Sequence, residues 1–242
     1  VTLIYAVLRF SNFAHGDLMS FGTMATILIT WWLQSMGITG GVMPTALIAL
    51  PLGILITALL CILIDQSVYK FYRKQKSVPV VFMIVSVGVM FTLNALVRFI
   101  IGPDDRKFFD GEKFIIKAVE FKNLTGLDEG LAIKSTQVIT IIVAIITMII
   151  LFWFLQKSKT GKSIRAFSNN EDLALLSGIN PDRVVLYTWI IVGALATIAG
   201  VLYGLDKSFK PYTYFSLVLP MFAAAIIGGV GNPLGAIVGG YI

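Results

Sequence analysis

Residues 137–155 run for nineteen positions without a charge, and thirteen of them are Val, Ile, Leu or Phe. At roughly −0.3 to −0.6 kcal/mol each, such side chains favour insertion into a bilayer by several kcal/mol. A bilayer core takes about 20 apolar residues, and comparable stretches read over residues 18–36, 42–64, 78–101 and 184–205. Hydrophobic residues make up 57% of the chain and charged ones only 13%, against about 25% charged in soluble domains. The expected fold is therefore all-α, a polytopic transmembrane helical bundle with the lipid bilayer as its surroundings. Residues 2–8 read as the tail of a helix, and residues 216–227 and 234–242 as shorter apolar pieces. The chain opens on Val1 inside one apolar run and stops at Tyr241-Ile242 inside another. Residues 1–242 are expected to be one transmembrane domain truncated at both ends.

The formal net charge of +6 needs no nucleic acid to explain it, because cytoplasmic loops of membrane proteins collect Lys and Arg. Residues 65–77 hold four bases against one acid, and residues 156–183 hold five against three. Two spans separate these loops, so both lie on one side, which the charge bias makes the cytoplasm. Residues 102–135, with seven acids and six bases, then form an extracytoplasmic loop. Alternation at residues 113–117 and 119–122 permits a short hairpin there. Pro51 predicts a kink in the second span.

The loop at 156–183 is longer than a connector needs to be, and it carries folding signals. Asn169 or Asn170 caps a helix start, with Glu171 and Asp172 in its first turn. Leu173, Ala174, Leu175 and Leu176 give it an apolar side, and Gly178 followed by Pro181 stops it. A short amphipathic helix on the wet face is a docking surface, or else it lies on lipid headgroups or on its own bundle.

Two stretches interrupt the apolar pattern. Asn12, His15, Gly16 and Asp17 break it near the start, where a helix break at membrane depth must line a cavity or pack in protein. Ionisable groups there mark a pathway or hinge; the alternative is an interfacial turn anchored by Arg9 and Asp17. Gly228, Gly229, Gly231, Asn232 and Pro233 break a helix near the end. Small residues four apart, Gly200 with Gly204, Gly231 with Gly235 and Gly235 with Gly239, let helices approach closely, and a moving break at residues 228–233 is the sharper reading.

Catalysis finds no support. The Gly-rich tail lacks the Lys-Ser/Thr pair of a phosphate-binding loop, and Gly161-Lys162-Ser163 has Gln156 where the first glycine belongs. Cys61 and His15 are each the only one of their kind, so neither a disulfide framework nor a Cys- or His-rich metal site is available.

Three stretches together resemble one family, the membrane permeases of branched-chain amino acid (and related amide and urea) ATP-binding-cassette importers. They are residues 12–17, Asn-Phe-Ala-His-Gly-Asp; residues 161–184, from Gly-Lys-Ser-Ile-Arg-Ala through Asn-Glu-Asp to Leu-Ser-Gly-Ile-Asn-Pro-Asp-Arg-Val; and residues 194–204 with 223–236. The resemblance covers essentially the whole chain in order. It implies a permease subunit that forms half of the translocation pore. Its implied partners are a second homologous permease, two cytoplasmic ATPase subunits and a periplasmic substrate-binding protein, in the bacterial inner membrane. ATP would be bound by the partners, and the chain itself would carry no cofactor. By the same resemblance, Lys162, Arg165, Ala166, Asn170, Glu171, Asp172, Ala174 and Gly178 would contact the ATPase. Ala174 and Gly178 keep the Ala-x-x-x-Gly spacing of such coupling segments, although Glu171-Asp172-Leu173 stands where Glu-Ala-Ala is usual. The competing expectation is a proton-driven secondary transporter or channel using His15 and Asp17, or the same importer class carrying urea or amides.

Overall fold

The computed structural model describes residues 1–38, 44–108, 114–116, 133–231 and 233–240. Among these, four helices are long and apolar enough to cross a membrane: Thr45–Lys74, Pro79–Ile101, Ser135–Lys157 and Pro181–Lys207. The first is a continuous rod of α3 (Thr45–Ile64), a π-helical turn (Asp65–Tyr69) and α4 (Lys70–Lys74). Pro51 lies inside α3, whose helix continues through it. The others are α5 (Pro79–Ile101), α6 (Ser135–Lys157) and α9 (Pro181–Lys207).

The helix at the centre of the bundle is none of these four. It is α2 (His15–Ser35), which is buried on every side from His15 to Ile27 and packs between α3 and α9. Its Gly, Ser and Thr content makes it less apolar than its neighbours. In hydrocarbon an apolar side chain gains nothing by leaving lipid for protein, so small residues mark the packed helices. A methyl group on Gly22 would overlap Thr197, one on Gly53 would overlap Thr26, and one on Gly200 would overlap Thr23 and Met19. The threonines fit these contacts because their hydroxyls donate within their own helix, Thr23 to Met19 O, Thr26 to Gly22 O and Thr197 to Gly193 O, at 2.8–2.9 Å. The opposite case is α6, the clearest span in the sequence. Only Leu155 of it is buried, and Ile141, Ile145, Ile149 and Trp153 point outward.

The helices define two ends. At the basic end, residues 75–78 join α4 to α5, and α7 (Lys159–Asn169) and α8 (Glu171–Leu176) join α6 to α9. Arg73 and Asp182 line one small cavity there, so the two basic loops share that end. At the other end, Arg106 and Phe209 exchange backbone hydrogen bonds of 2.9 and 2.8 Å, and Trp31 and Gln34 of α2 donate to the carbonyls of Lys107 and Phe108.

One expectation is corrected here. The first break is shorter than residues 12–17, because His15, Gly16 and Asp17 already form the first turn of α2. The interruption is residues 9–14, between α1 (Thr2–Leu8) and α2, with Arg9 left-handed at φ 57°. The strand near residue 114, β1 (Phe114–Ile116), pairs antiparallel with β2 (Ile133–Lys134); the expected partner at 119–122 lies outside the described residues. Near the end, α10 (Pro211–Ser216) and α11 (Val218–Ile227) run almost continuously. Gly229 and Gly231 at φ 92° and 89° then turn the chain into α12 (Pro233–Gly239). Gly228 and Gly239 allow α11 and α12 to close on each other, since a methyl group at Gly228 would overlap the carbonyl of Gly235. Asn232 lies outside the described residues.

Candidate functional site

The break between α1 and α2 is packed in protein. Its freed backbone donors are taken by side chains: Phe13 N–H donates to Ser86 Oγ and Ala14 N–H to Asn12 Oδ1, both at 3.1 Å. Asn94 Nδ2 donates to Asp17 Oδ1 at 2.8 Å, and Tyr69 Oη donates to Asn12 Oδ1 at 3.3 Å. Ser86 and Asn94 lie seven and fifteen residues into α5, about 10 and 22 Å along it at 1.5 Å per residue. The break is thus held about 10 Å along α5 by Ser86, while its first residue, Arg9, is exposed and donates to Ser168 O of α7 at the basic end. Asn12 and Asp17 are buried, and Gly16 is pressed against the Tyr214 carbonyl and Val218 of α10 and α11.

Polar capacity is left over. Asn12 Nδ2, His15 Nδ1, Asp17 Oδ2 and Ser20 Oγ are buried without a hydrogen-bond partner. Buried polar groups are ordinarily satisfied, because a lost bond costs about 1–3 kcal/mol. Four in nine consecutive positions mark this as the polar heart of the bundle. No group of three or more His, Cys, Asp or Glu side chains capable of holding a metal occurs among the described residues.

An aromatic ladder leads from the break to α9. Phe10 packs on Phe82 and Tyr69 (centroids 5.2 and 5.3 Å), and Tyr69 stacks on Trp189 at 5.3 Å and 15°. Trp189 Nε1 donates to Asp65 Oδ1 at 2.9 Å, and Arg73 grips the same carboxylate with both terminal nitrogens at 2.9 and 3.0 Å. Sequence reasoning missed Ser86, Asn94, Tyr69, Asp65 and Trp189. Ser86 and Asn94 had a readable signal, as polar residues eight apart inside a span and hence near one helix face. The pairing of Asp65 with Trp189 had none, because the two are 124 residues apart in the chain.

The expected docking segment folds as two helices. Ser158 caps α7, accepting from Gly161 N at 2.8 Å, and Asn170, not Asn169, caps α8, accepting from Leu173 N at 3.0 Å. Glu171 and Asp172 occupy the first turn of α8. It ends in a Schellman motif: Gly178 takes φ 78°, its N–H donates to Leu175 O, and Ile179 N–H donates to Ala174 O. Ala174 is buried against the bundle, while Leu173, Leu175 and Leu176 project outward, Leu176 with 85% of its surface exposed. The apolar side therefore faces away from the protein. In α7 the inward residues are Gly161, Ile164 and Phe167, with Gly161 against the backbone of Phe154 and Leu155. Lys162, Arg165 and Ala166 line a separate groove that the α8 leucines do not reach.

A family model described as the permease component of branched-chain amino acid transport systems matches residues 1–242. The chain is similar to the high-affinity branched-chain amino acid transport system permease protein LivH of Escherichia coli (strain K12), 29% identical over 245 residues, covering all of this chain and 76% of that protein. It is likewise similar to BraD, a permease protein of the same kind of system in Pseudomonas aeruginosa, at 27% over 246 residues, with the same coverage. A partial likeness, 30% over 129 residues, reaches 52% of this chain and 35% of the nucleoside ABC transporter permease protein NupB of Lactococcus lactis. No solved structure matches the chain.

Proposed function

Because this chain belongs to the family of permease components of branched-chain amino acid transport systems, and so is a multi-pass inner-membrane transport component and not an enzyme, we propose that it forms half of the pore of an ATP-driven importer and couples that pore to a cytoplasmic ATPase. A second homologous permease supplies the other half, two ATPase subunits bind and hydrolyse ATP, and a periplasmic binding protein delivers the cargo. The cargo class follows relatives that match over the full chain, such as LivH and BraD, whose names specify branched-chain amino acids.

The observation that carries this reading is α8. A six-residue helix, capped at both ends, presents Leu173, Leu175 and Leu176 to the outside at the basic end. Nothing in a bundle sitting alone rewards that exposure, whereas a cleft in a partner buries it. Around this apolar contact Asn170, Glu171, Asp172, Ala174 and Gly178 set the shape of the knob. The basic end is the cytoplasmic one by the excess of Lys and Arg, and residues 102–135 form the extracytoplasmic loop.

A push on α8 moves α9 as a rigid body through the four-residue link Ser177–Asn180. Trp189 in the first turns of α9 is tied to Asp65 and Tyr69, and Tyr69 to Asn12. The displacement therefore reaches Asn12 in the break and His15, Gly16 and Asp17 in the first turn of α2, the residues this reading assigns to the pathway once the packed elements switch to their other arrangement. The glycine turn at Gly228, Gly229 and Gly231, leading to Asn232 and Pro233, is the second place where a helix gives way.

The test is uptake and ATP hydrolysis measured together on the reconstituted complex. Leu176→Asp is expected to abolish uptake while the ATPase subunits dissociate or hydrolyse ATP without transport. Wild-type coupling in this variant, or uptake driven by a proton gradient with the ATPase removed, would overturn the reading.

A further inference from the structure

A groove of about 520 Å³ lies at the basic end between α1, the last turns of α6, α7 and the turn at Gly231. Its floor is apolar, made by Leu3, Ala6 and Leu155, all buried. Its rim carries Gln156, Lys162 and Arg165. The two cations are three residues apart on α7 and so share a face. Neither has an acid within ion-pairing distance among the described residues, and residues 156–170 contain four bases and no acid.

Position fixes the kind of occupant. α6 is long enough to cross a bilayer and has almost no protein of this chain around it, so its flank is open to lipid. Gln156 and Lys157 form its last turn, which is the level of the phospholipid headgroups. The groove therefore opens from the outward-facing Ile and Trp153 surface of α6 and ends at unpaired cations at headgroup depth. An occupant must offer an aliphatic chain to the floor and an anion to the rim.

We infer that this groove binds an anionic phospholipid, its phosphate held by Lys162 and Arg165 and one acyl chain laid on Leu3, Ala6 and Leu155. The inference goes beyond the coupling role proposed above and moves Lys162 and Arg165 from the ATPase contact that the resemblance implies to a second surface: α8 meets the ATPase, and this face of α7 meets the membrane. Basic pockets beside spanning helices recognise acidic headgroups through this pairing of charge and apolar floor.

The test uses the full-length chain in its complex, in nanodiscs of phosphatidylcholine and phosphatidylglycerol. Spin-labelled forms of each lipid report the fraction immobilised on the protein. Phosphatidylglycerol is expected to be preferred, and Lys162→Gln with Arg165→Gln to lower that preference about tenfold while phosphatidylcholine contact stays constant. Ala6→Trp, which fills the floor and keeps both cations, is expected to release phosphatidylglycerol too. Unchanged preference in the double variant would overturn the proposal. So would displacement of the labelled lipid by soluble glycerol phosphate, which would make the groove a free-anion site. Cross-linking from Gln156→Cys into the ATPase, the second permease or another segment of this chain would show the groove filled by protein and would equally overturn it. Uptake coupled to ATP is read in the same nanodiscs for Ala6→Trp, which lies outside the coupling residues, so loss of lipid preference with coupling intact in that variant separates this inference from the coupling reading.

Discussion

The indole of Trp189 and the carboxylate of Asp65 meet at 2.9 Å across 124 residues of chain, and they join the helix that follows the docking knob to the rod beside the central break. The same carboxylate holds Arg73 through both of its oxygens, and the indole ring lies flat on Tyr69. Asp65 and Tyr69 are the first and last residues of the π-turn, and both are buried. One buried acid thus satisfies two donors from two elements at the basic end.

Removing that acid leaves a guanidinium and an indole N–H unpaired. Asp65→Ala is expected to destabilise by about 3 kcal/mol, the low end for a broken buried pair, since Arg73 is about a quarter exposed and partly solvated. Asp65→Asn keeps the acceptor for Trp189 and should cost less, and Trp189→Phe keeps the stacking and should cost about 1 kcal/mol. Thermal unfolding of the purified complex ranks the three. Equal melting of the Ala and Asn variants would mean that the carboxylate does not hold these elements together.

Close packing of α2 on its neighbours makes a second expectation. Gly22→Val and Gly53→Val drive side chains into Thr197 and Thr26, and overpacking of this kind costs about 1–3 kcal/mol. Gly88 has open space where its Cβ would stand, so Gly88→Ala should be neutral or stabilising by up to about 1 kcal/mol. Detergent melting curves separate the positions. A Gly88→Ala variant as unstable as Gly22→Val would contradict the packing described.

Gly178 distinguishes shape from bulk at the docking knob. Nothing lies within 4 Å of its missing Cβ, but its φ of 78° is left-handed. Asn tolerates that conformation and Val does not, with a cost of about 1–2 kcal/mol. Gly178→Asn is expected to keep coupled uptake, and Gly178→Val to let ATP hydrolysis run without it while global melting stays unchanged. Uncoupling by both variants alike would assign the effect to side-chain size.

Much of this architecture was legible because membrane burial and helix capping are local. The run at 137–155 became α6, and Asn170, Glu171 and Gly178 became the cap, first turn and stop of α8. The centre was harder to see because α2 is less apolar than the four membrane-length helices. The residues that place α2 innermost, Gly22, Thr23 and Thr26, look like dilution of a hydrophobic run when read in order. His15, Gly16 and Asp17 read as a break because polar residues interrupt hydropathy, yet the backbone is already helical there and the polarity answers Asn94 across the bundle. Asp65 stood out only as a lone acid in a basic loop, and its partner Trp189 could not be paired with it before folding.

The end of the bundle opposite the knob makes a pH-dependent expectation. Asp105, largely exposed, sits below the ordinary aspartate range because Ser208 donates to it and Lys210 lies 3.4 Å away. A carboxylate with a depressed folded-state pKa stabilises at every pH above its unfolded value, and that contribution is lost as pH falls through the folded one. The clasp between Arg106 and Phe209 should therefore hold at neutral pH and loosen only under acid conditions, below the usual aspartate range. Amide exchange at Arg106, expressed as a protection factor to remove the intrinsic pH effect, reads this directly. Asp105→Asn should show the loosened value at neutral pH and change little on acidification. A variant that tracked the wild type through the acid range would exclude Asp105 as the group that titrates.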